Sequence, residues 1–203
     1  MINYMLQGLL FGLAYVAPIG TQNLYVINSA TSQSRWRAYQ VALITVFFDI
    51  TLAISCFFGI GLLIEHFLLL KAIIILIGSI VVVYIGVNLI REKTTLTGKE
   101  PDKHSMMNII GTCFAVTWLN PQAIIDGSLL LGSFHATLPP TMSVYFVIGV
   151  CGASLLWFNL LATLVLTLRA KFQKAIHAIN IICGLVLIFY GLKLAYSFFL
   201  LII

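Results

Sequence analysis

Two aspartates sit where hydrocarbon opposes ionisation. Asp49 lies within Val46-Phe47-Phe48-Asp49-Ile50-Thr51, and Asp126 within a second long apolar run. An ionised carboxylate at the centre of a bilayer costs at least about 2.5–3.5 kcal/mol on the insertion scale. Each therefore needs a proton, an internal partner or a cationic ligand. Lys193 is the obvious internal candidate, and it either pairs with an acid or snorkels to the surface. The same chain is twice interrupted at proline, once in Ala17-Pro18-Ile19-Gly20-Thr21-Gln22-Asn23 and once in Leu119-Asn120-Pro121-Gln122, with Asp126 a turn and a half beyond the second. Proline removes a backbone donor and clashes with the preceding turn, leaving amides and carbonyls that hydrocarbon cannot pair. Such backbone persists only inside protein or beside a wet cavity. Asn120 followed by Pro121 reads as an N-cap with proline at the first helical position, so a half-helix starts there. Its free N–H groups and positive dipole end form a receptor for a carboxylate or other anion. Pro18 and Gly20 make the equivalent opening in the first segment, with Thr21, Gln22 and Asn23 as uncharged hydrogen-bonding groups. Amide donors for a carboxylate and two acids for ammonium groups describe an amino acid, and two acids favour one with an extra positive charge, such as lysine or arginine.

The elements that must position these groups are membrane helices. A mean hydropathy of +1.08, with 61% hydrophobic and 8% charged residues, excludes a soluble surface. Each span needs about 20 apolar residues. The pattern resolves into about six, near Asn3 to Ile27, Ala38 to Ile64, Phe67 to Ile90, Met107 to Phe134, Met142 to Leu168 and Ile176 to Leu201. The first lacks a basic n-region and a small-residue cleavage site and reads as a retained helix rather than a signal peptide. The fold expected is an all-α membrane protein, a single transmembrane transporter domain over 1–203 with no cofactor.

Landmarks recur along the chain in one order. Pro18 matches Pro121, Phe48-Asp49 in helix two matches Phe158-Asn159 in helix five, and Tyr84-Ile85-Gly86 in helix three matches Phe189-Tyr190-Gly191 in helix six. Three helices per copy is an odd number, so the second copy enters the membrane from the opposite side. The expectation is two inverted three-helix repeats, about 1–91 and 107–203, joined by a basic loop at 92–106, with helices 1 and 4 broken at the prolines. The site then lies between helices one, two and four, with Asn159 contributed by helix five.

Orientation follows from Lys and Arg in the short loops. Arg35 and Arg37 lie in the first, Arg91, Lys93, Lys99 and Lys103 in the third, and Arg169, Lys171 and Lys174 in the fifth, whereas the second and fourth offer only Lys71. Odd-numbered loops belong in the cytoplasm and both termini outside, in a multi-pass protein of a bacterial cytoplasmic membrane. The net charge of +5 has the same cause, so nucleic acid is not a partner. Glu65, His66 and Lys71 sit at a helix turn and are expected to face solvent.

The remaining motifs define the alternatives. Cys56, Cys113, Cys151 and Cys183 all fall in apolar segments without a C-x-x-C pair, which argues against a disulfide framework or zinc site and for small residues filling helix contacts. A thiol-redox membrane carrier would want cysteines beside the prolines, and only Cys113, two turns before Pro121, comes near. A divalent metal cation exporter would want converging ligands, but His66, His104, His135 and His177 fall near helix ends. Gly8-x-x-x-Gly12 suits close packing inside the monomer or the seam of a homodimer. Trp36 marks the interface belt, while Trp118 and Trp157 lie deeper and either pack the core or wall the cavity.

Energetics supply a mechanism. Expelling a monocation against an inside-negative potential costs about 2.3 kcal/mol per 100 mV, and exchange for one incoming proton cancels that cost. Asp49 and Asp126 would alternate between substrate and proton, with membrane lipid as the surrounding partner. No feature suggests an enzyme.

At these residues the chain resembles the LysE/ArgO-type exporters of basic amino acids. The matching stretches are PIGTQNLYVIN in the first helix, the acid of VFFDI in the second, AVTWLNPQAIIDGSLLLGS in the fourth and ASLLWF in the fifth, in the family's order and over essentially the whole chain. The resemblance implies efflux of lysine or arginine, with Asp126, Asn120, Pro121, Asp49, Gln22 and Asn23 at functional positions. Thr21 departs from the family pattern, which usually has a second proline after the glycine, and the third loop is short. Related exporters in the wider superfamily move neutral amino acids, which makes neutral amino acid export the first alternative.

Overall fold

The computed structural model describes residues 1–59, 67–91, 105–172 and 176–202. Among these, all regular structure is helical: α1 (Ile2–Val16), α2 (Thr21–Ser32), α3 (Arg35–Phe57), α4 (Leu68–Arg91), α5 (Met106–Trp118), α6 (Pro121–Thr137), α7 (Pro140–Phe172) and α8 (Ile176–Ile202). Glu65, His66, the basic stretch 92–104 with Lys93, Lys99, Lys103 and His104, and Lys174 lie outside the described residues.

The first apolar segment breaks at its proline. The backbone amide of Ala17 still donates to Leu13, but Pro18 has no amide to continue the ladder. Gly20 then leads into α2 in an extended conformation, φ −122° and ψ −169°, and the axes of α1 and α2 differ by 78°. The fourth segment is interrupted at Leu119 and Asn120, after which Pro121 opens α6 at a position where its missing donor is not needed. Between these breaks, α3 starts under a side-chain cap, Ser34 Oγ accepting from the Arg37 amide at 3.3 Å. It stops at Gly59, whose φ of 88° is reached without strain only by glycine.

By length and composition α3 and residues Pro140–Leu168 of α7 can each cross a membrane, and the bent pair α1 and α2 makes a third span if counted as one. Shorter apolar helices run over Ile75–Asn88, Met106–Trp118, Ala123–Gly132 and Gly184–Leu200. Apolar side chains such as Leu69, Ile80, Leu185, Leu192 and Phe199 are exposed on α4 and α8, a surface suited to lipid rather than water.

Small residues set the helix contacts. A Cβ on Gly8 would run into the carbonyl of Phe146, and one on Gly12 would lie 2.7 Å from Ala153 Cβ and 2.9 Å from Val150 Cα. The glycine motif of the first helix is therefore filled by α7 of the same chain, which runs parallel to α1. α4 and α8 pack antiparallel and reciprocally: Gly86 meets Gly184 and Ile188, while Gly191 meets Ser79 and Val83. The same reciprocity recurs elsewhere, since Gly8 abuts the carbonyl of Phe146 and Cys113 Sγ lies 3.9 Å from the carbonyl of Val41. At the centre, Val41, Val46, Cys113 and Phe158 form one buried cluster, and Ala53, Phe57, Leu131 and Phe146 form another.

Candidate functional site

Both breaks open on one cavity of about 700 Å³, within the roughly 300–1,000 Å³ usual for small-molecule sites. The first turn of α2, Thr21, Gln22 and Asn23, lines it, as do Pro18 and Gly20 before that turn and Asn120 and Ala123 around the start of α6. Two helix amino ends thus converge on it, each a place where backbone N–H groups and the positive dipole end favour an anion. Asp126 and Lys193 put one acid and one cation on its wall, and Tyr15 and Phe134 add aromatic surface.

Side chains of the two breaks hold each other. Thr21 Oγ1 donates to the carbonyl of Val116 at 2.9 Å and accepts from Asn120 Nδ2 at 3.1 Å. Asn120 occupies the N-cap position of α6 expected of it, with extended backbone, but its side chain does not cap; it reaches across to α2 instead. Asn23, 3% exposed, repairs the first break: its Nδ2 donates to the carbonyls of Val16 and Pro18 at 3.0 and 2.7 Å, and its Oδ1 accepts from Trp157 Nε1 at 2.9 Å. The carbonyls freed by proline are therefore paired inside protein. Trp118 Nε1 donates to Thr51 at 3.2 Å, and its ring packs on Leu52, Cys56 and Ile124. Trp118 packs the core; it is absent from the described cavity wall.

Asp49 is fully buried on α3 and does not line the cavity. Its Oδ2 accepts from Ser154 Oγ at 2.6 Å, a short bond of the charge-assisted kind. Oδ1 and Gln22 Nε2 make no bond of full hydrogen-bond geometry, although the Gln22 side chain is near enough to the carboxyl to act as a hydrogen-bonding neighbour. The Tyr15 hydroxyl is likewise buried and unpartnered. A buried polar group left unpaired costs about 1–3 kcal/mol, and each such group in a folded protein calls for an explanation.

Of the residues singled out from sequence, the structure brings Pro18, Gly20, Thr21, Gln22, Asn23, Asn120 and Asp126 to the cavity, and Pro121 starts the half-helix beside it. Asp49 stands behind the wall. Asn159 is not brought there: its Nδ2 donates to the Leu155 carbonyl of its own helix at 2.8 Å. Sequence reasoning missed Tyr15 and Ser154. A tyrosine in an apolar run reads as core, and a serine carries no charge to draw attention. Among the described residues no group of three or more His, Cys, Asp or Glu side chains could hold a metal ion. Cys56 and Cys113 are buried apart in different clusters.

A second cavity of about 750 Å³ lies where α2 and α4 end and α5 begins, lined by Asn28, Gln33, Asn88, Arg91 and Asn108 among others. Its described lining carries one cation, Arg91, and no carboxylate.

The model of the LysE type translocator family matches residues 13–198. Arginine exporter protein ArgO of Escherichia coli (strain K12) is 32% identical over 201 residues, covering 96% of this chain and 94% of the relative. The arginine exporter proteins ArgO of Shigella flexneri and Enterobacter sp. (strain 638) match at the same identity and coverage. No solved structure matches.

Proposed function

This chain belongs to the LysE type translocator family, membrane transporters and not enzymes, and on that premise we propose that it exports a basic amino acid, arginine or lysine, in exchange for an incoming proton. The observation that carries this reading is the convergence of the α2 and α6 amino ends with Asp126 on one cavity. The helix ends suit the α-carboxylate and Asp126 suits an ammonium or guanidinium group. Asp49, withheld from the cavity and half-satisfied, suits the proton. Proton influx then offsets expulsion of a cation against the membrane potential.

The same reading includes six spans in two inverted repeats, lodged in the cytoplasmic membrane of a bacterium with both termini outside and lipid around them. Reciprocal packing supports it. Gly86 with Gly184 mirrors Gly191 with Ser79, and Gly8 with Phe146 mirrors Cys113 with Val41, each at a constant sequence offset of 105. At that offset the counterpart of Asp49 is Ser154, to which it is bonded, rather than Asn159.

One observation favours a second reading. With Asp49 off the wall, Asp126 and Lys193 leave the described charges of the cavity balanced, which suits a neutral zwitterion. Efflux of radiolabelled arginine, lysine and leucine from dipeptide-fed cells, with and without the protein, separates the two. Export of the cationic pair alone supports the first reading, export of leucine alone the second, and no export overturns both.

A further inference from the structure

The two aspartates are separated in the structure: Asp126 lies on the cavity wall, and Asp49 is fully buried behind it. A transporter that moves a proton through Asp49 needs a link between them. Tyr15 is in place to be that link. It lines the cavity, yet its hydroxyl is buried and has no hydrogen-bond partner. Its ring packs against both central clusters, one containing Val46 and the other Ala53. Those residues lie about one turn before and one turn after Asp49 on α3, and Tyr15 interacts electrostatically with both Asp49 and Asp126. On its other side Tyr15 Cε2 would be 3.1 Å from a Cβ placed on Gly127, the neighbour of Asp126 in sequence. Gly127 thus gives the ring its seat on α6.

Resting on the proton-coupled reading above, we infer that the Tyr15 hydroxyl relays protons between Asp126 in the cavity and Asp49 in the interior, and that Gln22 positions Asp49 for the transfer. In the inward step the Tyr15 oxygen accepts the carboxyl proton of Asp126 while its own hydroxyl proton passes to Asp49 Oδ1. One carboxyl O–H bond breaks at Asp126 and one forms at Asp49, and tyrosine ends neutral. The oxygen of Asp49 that receives the proton is the one without a partner; the other is held by Ser154. The Gln22 side chain, which interacts with the Asp49 carboxyl, can close its Nε2 on Oδ1 when the acid is ionised and must withdraw when that oxygen is protonated, because both would then present a hydrogen. Gln22 lies in the first turn of α2, at the 78° break, so the state of Asp49 is felt directly at the junction of the first span. The other titratable or charged groups near this path are Cys56 on α3, Cys151 on α7, Lys193 on the cavity wall and His135 against Phe57.

The test uses Tyr15→Phe, which keeps the ring and its seat against Gly127 and removes only the oxygen. In proteoliposomes, arginine, lysine and leucine are measured in two ways: as counterflow at equal pH on both sides, and as net flux driven by a pH gradient. Counterflow needs no net proton transfer and reports folding and substrate binding together. The expected result is gradient-driven flux reduced by about 100-fold more than counterflow in the same vesicles, the scale of a lost proton-transfer group. Gln22→Leu should reduce gradient-driven flux in the same sense. Equal loss of both activities in Tyr15→Phe, or loss of neither, overturns the relay while leaving the export reading intact. Absence of gradient-driven flux in the wild type overturns proton coupling and the relay with it, and absence of any wild-type counterflow overturns the substrate assignment.

Discussion

Thr21 and Asn120, 99 residues apart in the chain, are joined by a 3.1 Å hydrogen bond from the Asn120 amide to the Thr21 hydroxyl. That hydroxyl also donates to the Val116 carbonyl at the end of α5. One small side chain therefore ties the broken first segment to the broken fourth at the wall of the cavity. A proline at position 21, as the family pattern usually has, would fit the first helical position but would bring no hydroxyl. Thr21→Val keeps the shape and strands both partners, each a loss of about 1–3 kcal/mol where it stays buried. The expected outcome is a lower unfolding temperature in detergent and faster, less tightly coupled transport, because the two half-helices lose their tether. An unchanged unfolding temperature would show that the bond contributes nothing to holding the breaks.

Asp49→Asn and Asp126→Asn should each abolish net export with membrane insertion intact, since removing a midplane charge eases insertion. The two should fail differently. Asp126 lines the cavity, so its loss should weaken binding of cationic substrates in a competition assay. Asp49 does not, so binding should survive while net flux is lost. Wild-type flux in both variants would remove the carboxylates from the mechanism.

The breaks were legible in the sequence because proline acts locally: Pro18 and Pro121 interrupt helices wherever they stand, and α1 ends and α6 begins beside them. Partner choice was not legible. Ser154 reaches Asp49 across 105 residues, and nothing in ASLLWF distinguishes that serine from a packing residue. The match of Phe48-Asp49 with Phe158-Asn159 aligned residue types rather than faces. Five residues along a helix is a turn of about 140°, which carries Asn159 away from the side on which Ser154 meets Asp49. Tyr15 illustrates the same limit, as the relay inferred for it depends on two acids that only folding brings near.

Glycine substitutions should divide sharply by position. A Cβ at Gly8 or Gly149 collides with backbone of the partner helix, whereas at Gly20 or Gly111 it meets nothing within 4 Å. Gly8→Ala and Gly149→Ala are expected to lower folded yield, with an overpacking penalty of at least about 1–3 kcal/mol. Gly111→Ala should behave as wild type in size-exclusion profile and unfolding temperature. Equal behaviour of Gly8→Ala and Gly111→Ala would mean that α1 and α7 are not in the close contact described.

Replacing Cys56, Cys113, Cys151 and Cys183 together by alanine should leave export in place. Cys113 and Cys56 are buried in separate apolar clusters, so these two thiols are not poised to exchange electrons. Some stability should go with them, because Cys113 Sγ accepts from Thr45 at 3.4 Å and fills a position with no exposed surface. Loss of export from a variant that still folds would return the thiol carrier to consideration.

The cysteine-free chain also permits a test of sidedness. The second cavity gathers Asn88 and Arg91 near the end of α4 with Asn108 near the start of α5, the ends that flank the basic third loop. Positive loops stay on the cytoplasmic side, so a cysteine at Asn88 should react with a membrane-impermeant maleimide in inside-out vesicles and not in right-side-out ones. Ile19, exposed on the wall of the first cavity, should show the opposite preference when replaced by cysteine, and added substrate should protect it. Substrate protection at Ile19 without sidedness at Asn88 would keep the site and discard the orientation. Labelling of both positions from one side would mean that the two cavities are a single vestibule, and the exchange of substrate for proton would then have to be gated elsewhere than at the joined breaks.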